Sequence, residues 1–299
     1  MSESGNEVEG PEPASRLTPY QVCFVVDDVD EAAAECQERF GWGPFRSFHS
    51  TVEELQYKGR PARRVAEVSL GMAGRVQVEL LHVHDGVDCL ATYQARHGRG
   101  FQHLGIDTPS RDKALARLEN LGAGLDHLDE FEGIQIAFVD VPVGPGLFEL
   151  VDRTTGAPRG GGATLPRPAP ASRLAIDRAT VVTDRMDEAL DFFTRAFGWR
   201  NVVARSATVR WDTEEEQLAR ALGTAGRLEI ELVEGRPGGR DPYSRTLERS
   251  GTGLMHAGGV LADDDWPEST AYHWLDTGET FTLVDWSGGA GALQLRARE

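Results

Sequence analysis

No stretch of this 299-residue sequence stays apolar for the ~20 residues that a bilayer-spanning helix requires, and no signal-peptide pattern opens it. A helical membrane protein is thereby excluded, and a cytoplasmic location is the default expectation. Cysteine is scarce: Cys23, Cys36 and Cys89 are odd in number, lack CxxC spacing and read as small buried thiols. Positive charge is the minority sign, 31 Lys and Arg against 48 Asp and Glu. The resulting net charge of −17 argues against nucleic acid or an anionic membrane surface as a partner. The GGG at 160–162 precedes no Lys-Ser/Thr pair and follows no nucleotide-binding strand, so a phosphate loop is excluded as well.

What is present describes a globular chain, 40% hydrophobic and 26% charged, long enough for two domains with ordinary cores. Residues 1–17 read as an acidic, disordered tail. Beyond it the chain is a duplication. QVCFVVDDVDEAAAECQERFGWG (21–43) matches RATVVTDRMDEALDFFTRAFGWR (178–200) without a gap. RVQVELLHV answers RLEIELVEG, GRGFQHLGI answers GTGLMHAGG, and GLFELVDR answers GALQLRAR, all in the same order. Each copy opens with an apolar strand, an Asp-bearing turn and an amphipathic helix. Asp28 or Asp30, and Asp184 or Asp187, are the expected N-caps, with Gly41 and Gly198 as the stops. The Gly/Pro/Ala-rich stretch 154–172 reads as an exposed linker between domains at 18–153 and 173–299.

The first half repeats again within itself: strand, helix and three strands over 20–83, then strand, helix and strands over 101–152. The predicted architecture is α+β, two tandem domains of paired βαβββ units, each forming a cupped mixed sheet with its helices outside. The first and last strands of each unit would line the concave face.

Four polar residues interrupt those strands: Gln21 in YQVCFVV, Glu79 in VQVELLHV, His103 in FQHLGID and Glu149 in GLFELVD. Strand side chains alternate between faces, so each polar residue points away from its immediate apolar neighbours. An amide, an imidazole and two carboxylates form an O/N ligand set suited to a hard or borderline divalent cation.

The opening FVVDDVDEAAAECQERFGWGPF resembles the glyoxalase-like or epimerase-like domains of the vicinal oxygen chelate superfamily. That superfamily includes glyoxalase I, methylmalonyl-CoA epimerase, fosfomycin and bleomycin resistance proteins and extradiol dioxygenases. The resemblance implies metal ligands at Gln21, Glu79, His103 and Glu149, on the first and last strands of the two units. It also implies one divalent ion (Mg²⁺, Mn²⁺, Co²⁺, Ni²⁺ or Zn²⁺) open to two adjacent substrate oxygens. Such an ion is a Lewis acid toward a carbonyl, and a rim carboxylate, Glu149 or Glu79, is the base for the α proton. The expected activity is that of an isomerase, epimerase or lyase on a small organic acid, thioester or thiol adduct. The alternatives are a metal-free protein that sequesters a small molecule, and a non-catalytic scaffold that uses the fold to form a homodimer.

At the matching positions the second half has Arg178, Glu231, His256 and Gln294. A guanidinium has no lone pair for a cation. The second domain is therefore read as a degenerate structural partner or cap, with an Arg178–Glu231 salt bridge filling the site. The two-His, one-carboxylate iron site that the resemblance would place here in extradiol dioxygenases is missing. Units of this superfamily also exchange partners; pairing of units one and two collects both carboxylates and a histidine without an arginine, and is favoured.

Lys58, Arg60, Arg63 and Arg64 concentrate positive charge in YKGRPARR. They read either as a clamp for an anionic substrate such as a CoA ester or as a solvated hairpin. His82 and His84 read as rim residues, and Trp42 and Trp199 as packing groups.

Overall fold

The computed structural model describes residues 16–131, 133–154, 172–261 and 271–296. Most of the acidic tail and the linker, and the segment 262–270 where the fourth unit's helix would fall, lie outside the described residues. The first unit comprises β1 (Thr18–Val25), α1 (Val29–Glu35, continuing as a π-helical turn, Cys36–Phe40), β2 (Arg46–Tyr57), β3 (Arg60–Ala73) and β4 (Val76–Gly86). A helix that the sequence reading lacked, α2 (Cys89–His97), leads to the second unit. That unit comprises β5 (Gly100–Asp107), α3 (Arg111–Glu119), β6 (Gly124–Phe131), β7 (Ile134–Val141) and β8 (Gly144–Asp152).

The second half repeats the order. It runs β9 (Leu174–Thr183), α4 (Met186–Phe197), β10 (Arg205–Trp211), β11 (Glu214–Ala225) and β12 (Leu228–Glu234), then α5 (Pro242–Ser250). The last strands are β13 (Gly253–Leu261), β14 (Ala271–Trp274), β15 (Thr280–Trp286) and β16 (Gly289–Arg296).

Local chemistry sets the helix ends. Asp28 accepts from the Glu31 N–H at 2.9 Å, and Gly41 and Gly198 end their helices at φ 67° and 68°, the left-handed region that favours glycine. The N-cap of α4 is Arg185, not Asp184 or Asp187, and it makes no side-chain cap bond. Asp184 is engaged elsewhere, accepting from Thr252 Oγ1 at 3.1 Å.

Units one and two close on each other as one barrel, in the order β1-β4-β3-β2-β6-β7-β8-β5, and the second half closes likewise. The favoured local pairing is therefore the one observed. In the middle lie four neighbours, β4, β1, β5 and β8, with β1 parallel to β4 and antiparallel to β5. The closing seam between β2 and β6 is short, pairing Gln56 with Leu128 and Tyr57 with His127.

Alternation divides each central strand. Val76, Val78 and Leu80 of β4 face out into a large core, whereas Gln77, Glu79 and Leu81 line the barrel's cavity. The large core is shared by the two halves. Trp286 of the second barrel meets Phe24, Phe40 and Trp42 of the first edge-on, at centroid distances of 4.9, 6.0 and 5.8 Å. Trp42 Nε1 donates to the Leu174 carbonyl at 2.7 Å. The Phe-Gly-Trp turn of the first half is thus an inter-barrel packing device, whereas in the second half Phe197 reaches Phe148 across the boundary and Trp199 packs within its own barrel.

Candidate metal centre

Four adjacent strands deliver one residue each to the inner face of the first barrel. Gln21 pairs across the ladder with Gly105, Cys23 pairs with both Glu79 and His103, and Gly105 pairs with Glu149. The register thus brings Gln21, Glu79, His103 and Glu149 together. Gln21 Nε2 lies 3.0 Å from Glu79 Oε2, and His103 Nε2 lies 3.3 Å from Glu79 Oε2 and 3.4 Å from Glu149 Oε2. All four side chains are buried.

Two backbone features make the convergence possible. Gly105 leaves space that a Cβ would fill, since a methyl there would stand 2.1 Å from Gln21 Oε1. A β-bulge in β5 leaves Gln102 as the extra residue between the pairs Cys23–His103 and Phe24–Phe101. Gln102 Oε1 accepts from His103 Nδ1, which leaves Nε2 to face the carboxylates. Phe138 meets the imidazole edge-on at 5.1 Å and fixes its plane.

Bond lengths of ~2.1 Å place neighbouring ligand atoms ~3.0 Å apart at right angles and ~3.4 Å apart at tetrahedral angles. The spacings from His103 Nε2 to Glu79 and Glu149 fall on that range, while the amide N–H of Gln21 is spent on Glu79 and leaves its oxygen free. Gln21 Oε1 and His103 Nε2 are buried without hydrogen-bond partners. Two buried carboxylates face the single imidazole, with the Arg153 guanidinium acting on Glu149 from the cavity wall. Burial alone would depress the His103 imidazole, but Cys23, Glu149 and Glu79 outweigh it and hold the group well above its usual value. The residues present fit a divalent ion.

Among the described residues, the acid, thiol and imidazole donors that all lie within 4.8 Å of one another are those of Cys23, Glu79 and His103, a group that does not include Glu149. Sequence reading treated Cys23 as packing, although its place two residues after Gln21 puts it on the same strand face. Burial and the neighbouring Glu79 push its thiol up to about 12, so it is a neutral group at ordinary pH.

Beside the cluster lies a cavity of about 210 Å³ with largely apolar walls, including Phe48, Phe131, Phe138 and Ile136. Of the four basic residues singled out in the sequence, Arg64 alone lines it. Arg64 is buried and spans Asp88 and Asp129 at 3.0 and 2.9 Å. Lys58 sits in the β2–β3 turn at φ 50°, near Asp126, and Arg63 pairs with Asp85. Arg60 is exposed at the start of β3. Arg46 and Arg153 also line the cavity and escaped the sequence reading. His127, for which the sequence indicates no partner, is fully buried between Asp88 and Asp129 at 3.7 and 3.6 Å.

In the second barrel, the register equates Arg178 with Gln21, Glu231 with Glu79, His256 with His103 and Gln294 with Glu149. Arg178 reaches Glu231 at 3.7 Å, a longer contact than its 2.7 Å bond to Glu279. Glu231 is held mainly by Arg220, at 2.6 Å, and by Thr180. Although burial opposes ionisation, Arg220 and Arg178 bring the Glu231 carboxyl down to about 2. Guanidinium groups occupy the place that a cation would need.

Tandem eight-stranded barrels made of paired βαβββ units, with an inward cluster of amide, imidazole and carboxylates in the first, define a recognisable class of protein. Residues 20–138 match the model of the Glyoxalase/Bleomycin resistance protein/Dioxygenase superfamily, a span that includes Gln21, Glu79 and His103. The first domain belongs to that superfamily, and the second repeats its fold.

Among solved structures, a triple mutant of 4-hydroxymandelate synthase from Streptomyces coelicolor aligns at TM-score 0.58 and 14% identity, over 96% of this chain and 93% of that one. A hypothetical protein from Staphylococcus aureus aligns at 0.52 and 8% identity, over 94% and 99%. A xylose isomerase-like TIM barrel/4-hydroxyphenylpyruvate dioxygenase fusion protein aligns at 0.53 and 12% identity, over 97% of this chain and 50% of that one. At such identities the likeness concerns the fold. No curated sequence matches the chain significantly.

Proposed function

We propose that the first domain is a metal-dependent enzyme whose ion is held by Gln21, Glu79, His103 and Glu149. The reaction proposed is isomerisation, epimerisation or lyase chemistry at the carbon next to a carbonyl of a small organic acid, thioester or thiol adduct. The observation that carries the reading is the spacing of 3.3 and 3.4 Å from His103 Nε2 to carboxylate oxygens of Glu79 and Glu149, with His103 Nε2 and Gln21 Oε1 both buried and lacking partners.

A divalent ion bound there supplies Lewis acidity to a substrate carbonyl oxygen. The chain's own residues do the remaining work. Glu79 is tied by the Gln21 amide, whereas Glu149 contacts His103 without such a tether, so Glu149 is the base that takes the α proton at its carboxylate. Gln102 holds the imidazole tautomer, and Phe138, Phe48 and Phe131 exclude water from the proton's path.

Elemental analysis of the purified chain tests the metal: one divalent ion per chain is expected, and its loss in both His103→Ala and Glu149→Ala. Solvent deuterium incorporation at the α carbon across a panel of 2-oxo acids and acyl thioesters tests the chemistry. A chain that binds small acids unchanged, with affinity indifferent to chelator, would instead be a sequestering protein.

A further inference from the structure

A second cavity, of about 360 Å³, opens between the two barrels where the ends of α2 and α5 approach the starts of β5 and β13. Its walls carry Arg96, Arg99 and Arg249 in a chain whose net charge is −17. Arg99 lies 3.4 Å from Asp27, and neither Arg96 nor Arg249 is paired with an acid among the described residues. The last turns of two helices face the cleft, and a helix C-terminus contributes roughly −0.5 charge. Three guanidinium charges, less one carboxylate and about one unit from the two helix ends, leave a balance of about +1. The helix ends alone do not account for the arginines.

The cleft also touches the first barrel's cluster. Gln102, the bulge residue whose Oε1 holds His103 Nδ1, is itself a wall residue of the cleft. Met255, at the corresponding bulge of β13, is a wall residue as well. One side chain is therefore shared between an electropositive cavity and the imidazole.

We infer that the inter-barrel cleft binds a small oxyanion, the carboxylate or phosphate ester of a metabolite-sized molecule, and that its occupancy is transmitted through Gln102 to the orientation of His103. Arg96 and Arg249 supply charge-assisted hydrogen bonds to the oxyanion. The ligand's remaining volume lies against Leu254 and Met255. The transmission half of this inference rests on the metal reading of His103, while the binding half does not.

Calorimetric titration of the full chain, metal-free and Mn²⁺-loaded, tests both halves, with methyl phosphate and succinate as separate probes of the two oxyanion sources. One site per chain with a Kd below about 1 mM is expected for at least one probe. The exposed double substitution Arg96→Gln/Arg249→Gln should weaken it at least about tenfold without changing the melting temperature appreciably. Saturating anion should also shift the Mn²⁺ Kd about threefold or more in the wild type but not in the double variant, which controls for chelation in solution. Failure of both probes to bind, or undiminished binding by the double variant, overturns the cleft. Anion binding that leaves the Mn²⁺ Kd unmoved overturns the transmission. A chain that takes up no Mn²⁺ overturns the proposed function and the transmission with it, while the metal-free titration still decides the cleft.

Discussion

Gln21 and Arg178 occupy the same register position in the two barrels, yet Gln21 leaves its amide oxygen unpartnered while Arg178 bridges Glu229 and Glu279 at 3.1 and 2.7 Å. Their removal should therefore be felt differently. Arg178→Ala removes one guanidinium partner from Glu229 and Glu279, the latter still held by Arg220 and Arg296, and should cost about 1–3 kcal/mol of stability in urea unfolding. Gln21→Ala should leave the melting temperature within a few degrees of wild type and weaken Mn²⁺ binding about tenfold or more.

Gly105 offers a finer probe of the same cluster. A Cβ at this position would stand 2.1 Å from Gln21 Oε1 and 2.7 Å from the backbone-anchored Gln21 Cβ, so Gly105→Ala should displace the amide and lower metal affinity as well as costing some stability. At Gly86, with φ 122°, an added Cβ would instead stand 2.2 Å from the Arg63 carbonyl oxygen. Gly86→Ala should lose on the order of 2 kcal/mol or more of stability. Circular-dichroism melts alongside Mn²⁺ titrations distinguish the two outcomes.

Acid should attack the second barrel by a route visible in its histidine. Burial, aided by Arg178 and Arg296, lowers the His256 imidazole to about 4 from an ordinary 6.5. Between those values the unfolded chain binds the proton and the folded chain does not, so stability rises with pH. The contribution is complete above 6.5 and lost as pH falls through about 4. Glu231, lowered to about 2, adds a second loss below the ordinary carboxyl range. Replacing His256 by Phe should flatten the pH dependence of the urea midpoint between pH 6.5 and 4 and leave the lower limb in place.

Trp286 joins the barrels. Trp286→Ala removes a buried ring that meets three aromatic partners across the boundary. It should cost about 3–5 kcal/mol and turn a single calorimetric transition into two.

The duplication, the strand phases and the four cluster residues were legible because a period of two forces a polar residue in an apolar strand onto the opposite face. The tether on His103 was not. A bulge at Gln102 shifts that phase by one residue, and nothing in FQHLGID announces it. Arg220 and Glu279 were equally hidden, since their meeting at 2.7 Å depends on closure between strands about 60 residues apart. The basic run YKGRPARR illustrates the opposite error. Its residues are neighbours in sequence, but Arg63 turns outward to Asp85 while Arg64 turns inward to Asp88 and Asp129.

The brevity of the β2–β6 seam has a consequence for traffic. Arg46, Phe48, His49 and Ser50, the β2 residues that border the cavity, all precede the two hydrogen-bonded pairs at Gln56 and Tyr57. The barrel wall is therefore unlaced by backbone hydrogen bonds along that length, and the stacked rings of Phe48 and Phe131, with centroids 6.0 Å apart, cover the gap in their place. A guest entering from that side would have to part them.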